Sequence, residues 1–303
     1  MGAKKVNIYP LDLNFQGVPQ TIVAYLVVGP EGPVLVETGP ALTLPTLQAC
    51  LAAHGYDPAD IRHVLVSHIH LDHAGAAGWW AQQGACVYVH HVGAPHLVDP
   101  SRLLSSAQRI YGEMMDPLWG QTSPAPAEHV RPLQGGETLE LGGLRFTVLD
   151  TPGHAWHHLV FRLNGVAFTG DVAGVRLPGQ RFLSLPAPPP EFHLERWQET
   201  LRRLLDADLE TLYLTHFGAV ENVREHLLAL SDLIDQAAEF VRVRVVDGVE
   251  REALLEQYMT WTRERAAACA VTERAFHQYE TANPTFMSVD GLARYWRKRL
   301  EHA

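Results

Sequence analysis

Cysteine is scarce in this chain: Cys50, Cys86 and Cys269 are the three among 303 residues. The count is odd and no pair has the Cys-x-x-Cys spacing. This argues against a disulfide framework and for a reducing, cytoplasmic setting. Long apolar runs are also missing. The stretch 21–28, behind Lys4 and Lys5, is too short to span a bilayer and runs into Gly29-Pro30. It reads as a strand, and no membrane anchor is expected. Positive charge is in short supply too. The formal net charge is −10, which argues against nucleic acid as the main partner, because phosphate binding needs a cationic surface. The one modest basic group, Arg294, Arg297, Lys298 and Arg299, reads as the solvated face of a terminal helix.

What is present describes a globular protein. Hydrophobic residues make up 47% and charged residues 19%, so a sizeable core can form in one large domain with an appendage. Up to about residue 220, short apolar runs alternate with Gly- and Pro-marked turns. Strands are expected at 22–28 and 34–36, as a hairpin, then at 64–66, 86–89, 144–149, 166–169 and 212–214. Helices are expected at 45–54 and 194–205. Together these give a mixed α/β layout, with sheets buried beneath helices. The segment 99–126 differs: it reads as one or two short helices followed by a Pro-rich loop, inserted between sheet elements. Residues 186–190 form a second stiff connector. After 220 the pattern is helical, over 221–241, 250–268, 271–282 and 289–301, with Ser288 as the expected N-cap of the last. The expected division is a catalytic domain over 1–220 and a helical region over 221–303.

Histidine is abundant, with seventeen in the chain, and their placement matters more than their number. Five apolar runs each deliver a polar group as the strand leaves the core. They end at Glu37-Thr-Gly, at His68-x-His70-x-Asp72-His73, at Thr-Pro-Gly-His154, at Gly-Asp171 and at Thr-His216. Sheets of this kind place their sites beyond the strand ends, so residues far apart in sequence can converge. A lone His beside an Asp is ordinarily a surface residue or a satisfied buried one. Three His and one Asp within six residues after a buried strand have no packing reason. In an extended segment His68 and His70 point the same way and can grip one ion together. Asp72 and His73 follow where the chain turns, and can face a second. Imidazole and carboxylate suit zinc, and also iron or manganese. His157 and His158 are read as non-ligating neighbours, one of them able to support a ligand from outside. His90, His91 and His96 are read as structural.

These motifs, in this order across about residues 20–220, resemble the metallo-β-lactamase-fold hydrolase superfamily. The resemblance implies a four-layer αβ/βα sandwich of two mixed sheets, with metals at one sheet edge. It implies that His68, His70 and His154 hold one metal, that Asp72, His73 and His216 hold the other, and that Asp171 bridges them. One position departs: Glu37 stands where the family usually has Asp as an outer support. Two divalent ions would leave the centre net positive after Asp72, Asp171 and a bridging hydroxide are counted. Such a centre attracts a carbonyl or an oxyanion. Metal binding brings the pKa of water to about 7, so hydroxide is available at neutral pH. Asp72 is the candidate for orienting that water or taking its proton.

Within the superfamily, His70 argues against the oxygen-reducing flavodiiron type, which has Glu there. Asp72, His73 and Asp171 together argue against the zinc β-lactamases proper. The charge is wrong for the nucleic-acid-processing branch. The remaining resemblance is to glyoxalase-II-type thioesterases and lactonases, which implies hydrolysis of a small ester-like bond. The alternatives are a mononuclear-iron persulfide dioxygenase and, third, a phosphodiesterase or a non-catalytic metal-binding protein. Tyr111, Met115 and Trp119, in the insertion, are the candidate substrate-binding residues. The expected partner is a small molecule, with a homodimer contact through the same insertion as another use of those apolar side chains.

Overall fold

The structure is a computed structural model that describes residues 6–301; Lys4 and Lys5 lie outside the described residues. Alternation along the strands explains the layering. In β2 (Val23–Gly29), Val23, Tyr25 and Val27 point to one face while Ala24 and Leu26 point to the other. In β3 (Gly32–Val36), Val34 and Val36 share the first face and Leu35 takes the second. Both faces of both strands are apolar, so both must be covered. β2 and β3 pair as the expected hairpin. They sit in a six-stranded sheet with β1 (Asn7–Asp12), β4 (His63–Leu65), β5 (Cys86–His90) and β6 (Val130–Leu133), ordered β1-β2-β3-β4-β5-β6. The first two pairings are antiparallel and the remaining three parallel.

The second sheet has the order β12-β11-β10-β9-β8-β7. Its strands are β7 (Thr138–Leu141), β8 (Leu144–Asp150), β9 (Leu159–Leu163), β10 (Val166–Gly170), β11 (Thr211–Leu214) and β12 (Gly218–Val220). Only β10 and β11 run parallel. Phe146, Val148, Phe161 and Phe168 of this sheet meet Val23, Tyr25, Val34 and Val36 of the first in one buried cluster. The outer face of the first sheet is covered by α1 (Leu44–Ala53), α2 (Leu71–Ala74), α3 (Ala77–Gln82), α4 (Ala94–Val98) and the insertion helices α5 (Ser101–Tyr111) and α6 (Met115–Trp119). The outer face of the second is covered by α7 (Leu194–Leu205), α8 (Val223–Val246), α9 (Arg251–Ala268) and α11 (Thr285–Glu301). α10 (Glu273–Ala282) places Phe276 and Tyr279 at the end of the inter-sheet core. The chain is thus an α/β sandwich of four layers, with two mixed sheets inside and C-terminal helices outside.

α8 runs on past 241 to Val246, and Val241 is buried against the helices and sheet of the outer core. One expectation about the C-terminal region needs correction. The last helix begins at Thr285, and Ser288 is inside it. The Ser288 hydroxyl donates to the Leu185 carbonyl and accepts the Ala187 N–H. Its polar capacity is used on a neighbouring segment, so it does not cap its own helix. Among the described residues, no helix is long and apolar enough to cross a membrane.

Candidate metal centre

The two sheets are tied together directly beneath the polar cluster. The Leu159 N–H donates to the Ser67 carbonyl (2.7 Å) and the Val23 N–H to the Thr215 carbonyl (2.9 Å). The Tyr25 hydroxyl donates to the Leu214 carbonyl. These bonds register the exits of β4 and β11 against each other. His68 and His70 follow β4, Asp72 and His73 ride on α2, and His154 follows β8. Asp171 follows β10 and His216 follows β11. All seven come together at one edge of the sandwich.

His68, His70 and His154 form one triad. His68 Nε2 lies 2.9 Å from His70 Nδ1, and His154 Nε2 lies 3.1 Å from each of those atoms. Asp72, His73 and His216 form a second triad. Asp72 Oδ2 is 3.6 Å from His73 Nε2 and 3.4 Å from His216 Nε2. Asp171 stands between them. Its Oδ1 is 3.1 Å from His73 Nε2 and 3.3 Å from His216 Nε2, while its Oδ2 is 3.4 Å from His154 Nε2.

The chemistry of these atoms fits metal ions. Carbonyl oxygens only accept, so they fix two tautomers. His154 donates Nδ1–H to the Pro186 carbonyl (2.7 Å), and His216 donates Nδ1–H to the Thr21 carbonyl (2.8 Å). In each neutral ring the Nε2 lone pair then faces carboxylates or other imidazoles, an arrangement that a cation relieves. His73 Nε2 and Asp171 Oδ1 are buried and without a hydrogen-bond partner although they face each other. Buried polar atoms are rarely left so unless something else binds them.

The electrostatics divides the cluster in the same way. Burial first, then the neighbouring imidazoles, holds His68 well below the ordinary histidine range and His70 at about 3. Burial also lowers His154, against the pull of Asp171. These three rings are neutral donors. Burial works against charge on His216 as well, but Asp171 and Asp72 raise it to about 9. The same carboxylates, with Glu37, hold His73 well above its ordinary value despite its burial. Burial would raise Asp72, yet His73 and His216 bring it down to about 2. Asp171 is likewise held well below the carboxylate range by His73, His216 and His154. The second triad therefore demands positive charge, which a divalent ion supplies in place of two protons.

Around the seven residues lies a set of supports. Glu37 has φ of 66°, a backbone region that non-glycine residues seldom adopt. From there its carboxylate is 3.4 Å from His73 Nδ1, and it accepts from the Ser67 N–H and the Thr215 hydroxyl. Glu at this position thus still reaches the ring it would have to orient. His158 accepts the Asp171 N–H through Nε2 (3.2 Å) and bonds Thr151 through Nδ1 (2.8 Å). It holds Asp171 by its backbone, the outer support that a neighbouring His could give. Gly170 has φ of 50°, and a Cβ there would sit 2.4 Å from Ser67 Oγ and 2.7 Å from His158 Nε2. Glu191 was not among the residues singled out by sequence. It lies 2.8 Å from His157 Nε2 and 3.8 Å from His70 Nε2. It directly follows the stiff connector 186–190, which the fold alone brings beside the cluster, so no local sequence signal marks it.

The model of the metallo-beta-lactamase superfamily matches residues 17–216. The chain belongs to the metallo-beta-lactamase superfamily. A metallo-beta-lactamase fold-containing protein of Sulfurisphaera tokodaii is 25% identical over 246 residues, covering 79% of this chain and 88% of that protein. A hydroxyacylglutathione hydrolase of Hyphomonas neptunium is 28% identical over 163 residues, and the match spans 53% of each. Among solved structures, a metallo-beta-lactamase family protein of Thermus thermophilus has a TM-score of 0.71 at 23% identity, covering 96% of this chain and 93% of that one. That likeness shows the fold.

In this superfamily member the histidine–aspartate cluster opens into a cavity of about 670 Å³. His70, Asp72, His154 and Asp171 are among its walls, with His157 and Glu191 beside them. Of the three expected substrate-binding residues, Tyr111 and Trp119 line the cavity. Trp119 is largely buried and stacks on Phe15 at 5.5 Å between ring centroids. Met115 does not line it, and that expectation is corrected: its side chain is buried in the core beneath the first sheet. A 3-10 turn at Gly112–Met114 separates α5 from α6 and resets the helical phase, so Met114 takes the cavity side instead. α10 and α11 supply the opposite wall.

Proposed function

We propose that this chain is a dinuclear metal-dependent hydrolase of a small ester-like substrate, a thioester or lactone above all. The observation that carries the reading is Asp171, whose two carboxylate oxygens face different triads. His68, His70 and His154 would hold one ion and Asp72, His73 and His216 the other, with Asp171 shared. Zinc is the first choice for this donor set, with iron or manganese as substitutes. Bound there, the ions supply Lewis acidity toward a carbonyl oxygen and lower the pKa of water.

The chain's own residues do the rest. Pro186 and Thr21 keep the His154 and His216 lone pairs aimed inward. Asp72 borders the cavity, where it would orient a water beside the scissile carbonyl or take its proton. The buried imidazoles and the apolar walls limit the water that reaches the bond. The relative named as a hydroxyacylglutathione hydrolase supports this class of bond, and the three unpaired cysteines suit a cytoplasmic enzyme.

The test is turnover of a panel of thioesters, lactones and phosphodiesters by metal-replete protein. Ester or thioester cleavage that vanishes on chelation and returns with metal is the expected result. A replete sample inert on the whole panel contradicts the proposal. If Asp72→Asn keeps full metal content and full turnover, the proton role of Asp72 is wrong.

A further inference from the structure

We infer that the substrate carries a long apolar chain, which lies in the cavity between α5 and the α10–α11 wall while its ester group meets the histidine–aspartate cluster. This rests on the hydrolase reading and adds the substrate class. Three observations carry it.

The first is shape. A cavity of about 670 Å³ is far larger than an ester group needs, and it falls within the ~300–1,000 Å³ range of small-molecule sites. The polar histidine–aspartate cluster forms only one part of it. Leu103 and Ile110 come from α5, and Phe286 and Met287 from α11.

The second is unexplained exposure. Among the described residues, nine large apolar side chains are exposed. Three of these, Val92 (45%), Ile110 (38%) and Met114 (52%), border this one cavity. They come from two separate segments, so a single amphipathic helix does not account for them. Scattered exposed apolar residues need no explanation, but a group continuous with a reactive site marks what the site binds. Methionine adds an adaptable surface suited to a flexible chain.

The third is the missing charge. Among the described residues lining the cavity, Arg102 is the one guanidinium or ammonium group. The carboxylates outside the histidine–aspartate cluster are Glu191 and Glu280. They are already engaged, Glu191 with His157 and Glu280 with Thr285. A carrier recognised through several carboxylates or phosphates needs a cluster of charge-assisted donors, and these walls do not provide one. An apolar chain needs none.

The probes are N-acetylcysteamine thioesters from acetyl to decanoyl and S-alkyl thioacetates of the same lengths. Methyl ketones from acetone to 2-dodecanone serve as uncleavable ligands, read by calorimetry. In one thioester series kcat/KM is expected to rise about fourfold per added methylene until the cavity is filled, the worth of one buried CH₂. Ketone affinity should climb in parallel. Ile110→Glu combined with Met114→Glu changes exposed positions, so the fold should survive, as thermal unfolding will verify. Its long-to-short ratio is expected to fall at least tenfold. Short thioesters cleaved with no length dependence in either series, or an unchanged ratio in the double variant, would overturn the inference and leave the hydrolase reading standing. Ketones that bind more tightly with length while no thioester, lactone or phosphodiester of the panel is cleaved would overturn the hydrolase reading and leave the chain site standing. Ketone affinity flat with length overturns the inference whether or not any ester is cleaved.

Discussion

Two carbonyl oxygens, those of Thr21 and Pro186, hold a proton on Nδ1 of His216 and His154 and leave Nε2 of each facing the cluster. Glu37 does the comparable service for His73. Replacing Glu37 with Met keeps the volume and removes the acceptor. Outer partners of metal ligands are typically worth ~10–100-fold in metal affinity. The Glu37→Met variant is therefore expected to bind metal 10- to 100-fold more weakly by chelator competition, on that same scale. Equal affinity would show that His73 needs no such anchor. A histidine outside the centre gives a separate prediction. His226 is buried, donates Nε2–H to the Ala173 carbonyl (2.7 Å) and accepts from Arg176 through Nδ1 (3.3 Å). Burial pushes it down to about 4 from the ordinary 6.5. The folded value lies below the unfolded one, so its stabilisation is complete above pH 6.5 and is lost as pH falls toward 4. The full loss is about 3 kcal/mol at ~1.4 kcal/mol per pKa unit. Urea midpoints of wild type and His226→Gln, compared between pH 7.5 and pH 5, should show the smaller acid loss in the variant. The seven cluster residues were legible in sequence because each stands where an apolar run ends. Glu191 and the acceptor Pro186 were not, because a tertiary fold alone brings the connector 186–190 beside His154.

At the scale of elements, that connector depends on the last helix. Gly291 of α11 lies so close that a Cβ there would stand 1.9 Å from the Ala187 carbonyl oxygen. Asn283 donates to the Leu185 carbonyl (3.0 Å), and Ser288 bonds Leu185 and Ala187. The C-terminal helices thus hold the segment whose Pro186 orients His154. Gly291→Ala must displace one or the other. Overpacking of this kind costs ~1–3 kcal/mol, so a lower Tm is expected. Weaker metal retention should accompany it, because the Pro186 acceptor moves with the segment. A lower Tm with unaltered metal retention would show the two to be uncoupled. Sequence periodicity located the central strands and α7 well, since their apolar patterns are strong. It left β1, β6, β7, β9 and β12 unassigned. β6 and β7 have exposed positions, and β12 is three residues long, too short to show a period. The phase of α6 was lost for a different reason, the 3-10 turn that precedes it.

For the whole molecule, the two sheets and the helices after residue 220 share continuous cores, and the cavity lies where α5, α10 and α11 meet the metal edge. The superfamily model ends at residue 216, whereas the Thermus thermophilus structure matches nearly the whole chain. One wall of the cavity, from α10 and α11, therefore lies outside the stretch that the family model matches, while the facing α5 lies inside it. This is why the chemistry of the centre was readable from motifs and the shape of the pocket was not. An acidic protein, with a net charge of −10, nevertheless concentrates its demand for positive charge at one buried point. Metal quantification on natively purified protein, repeated on Asp171→Ala, tests this account most directly. It predicts about two divalent ions per chain in the wild type, as a two-metal site requires, and a clear loss in the variant. A single iron per chain, or wild-type metal content retained in Asp171→Ala, would contradict it.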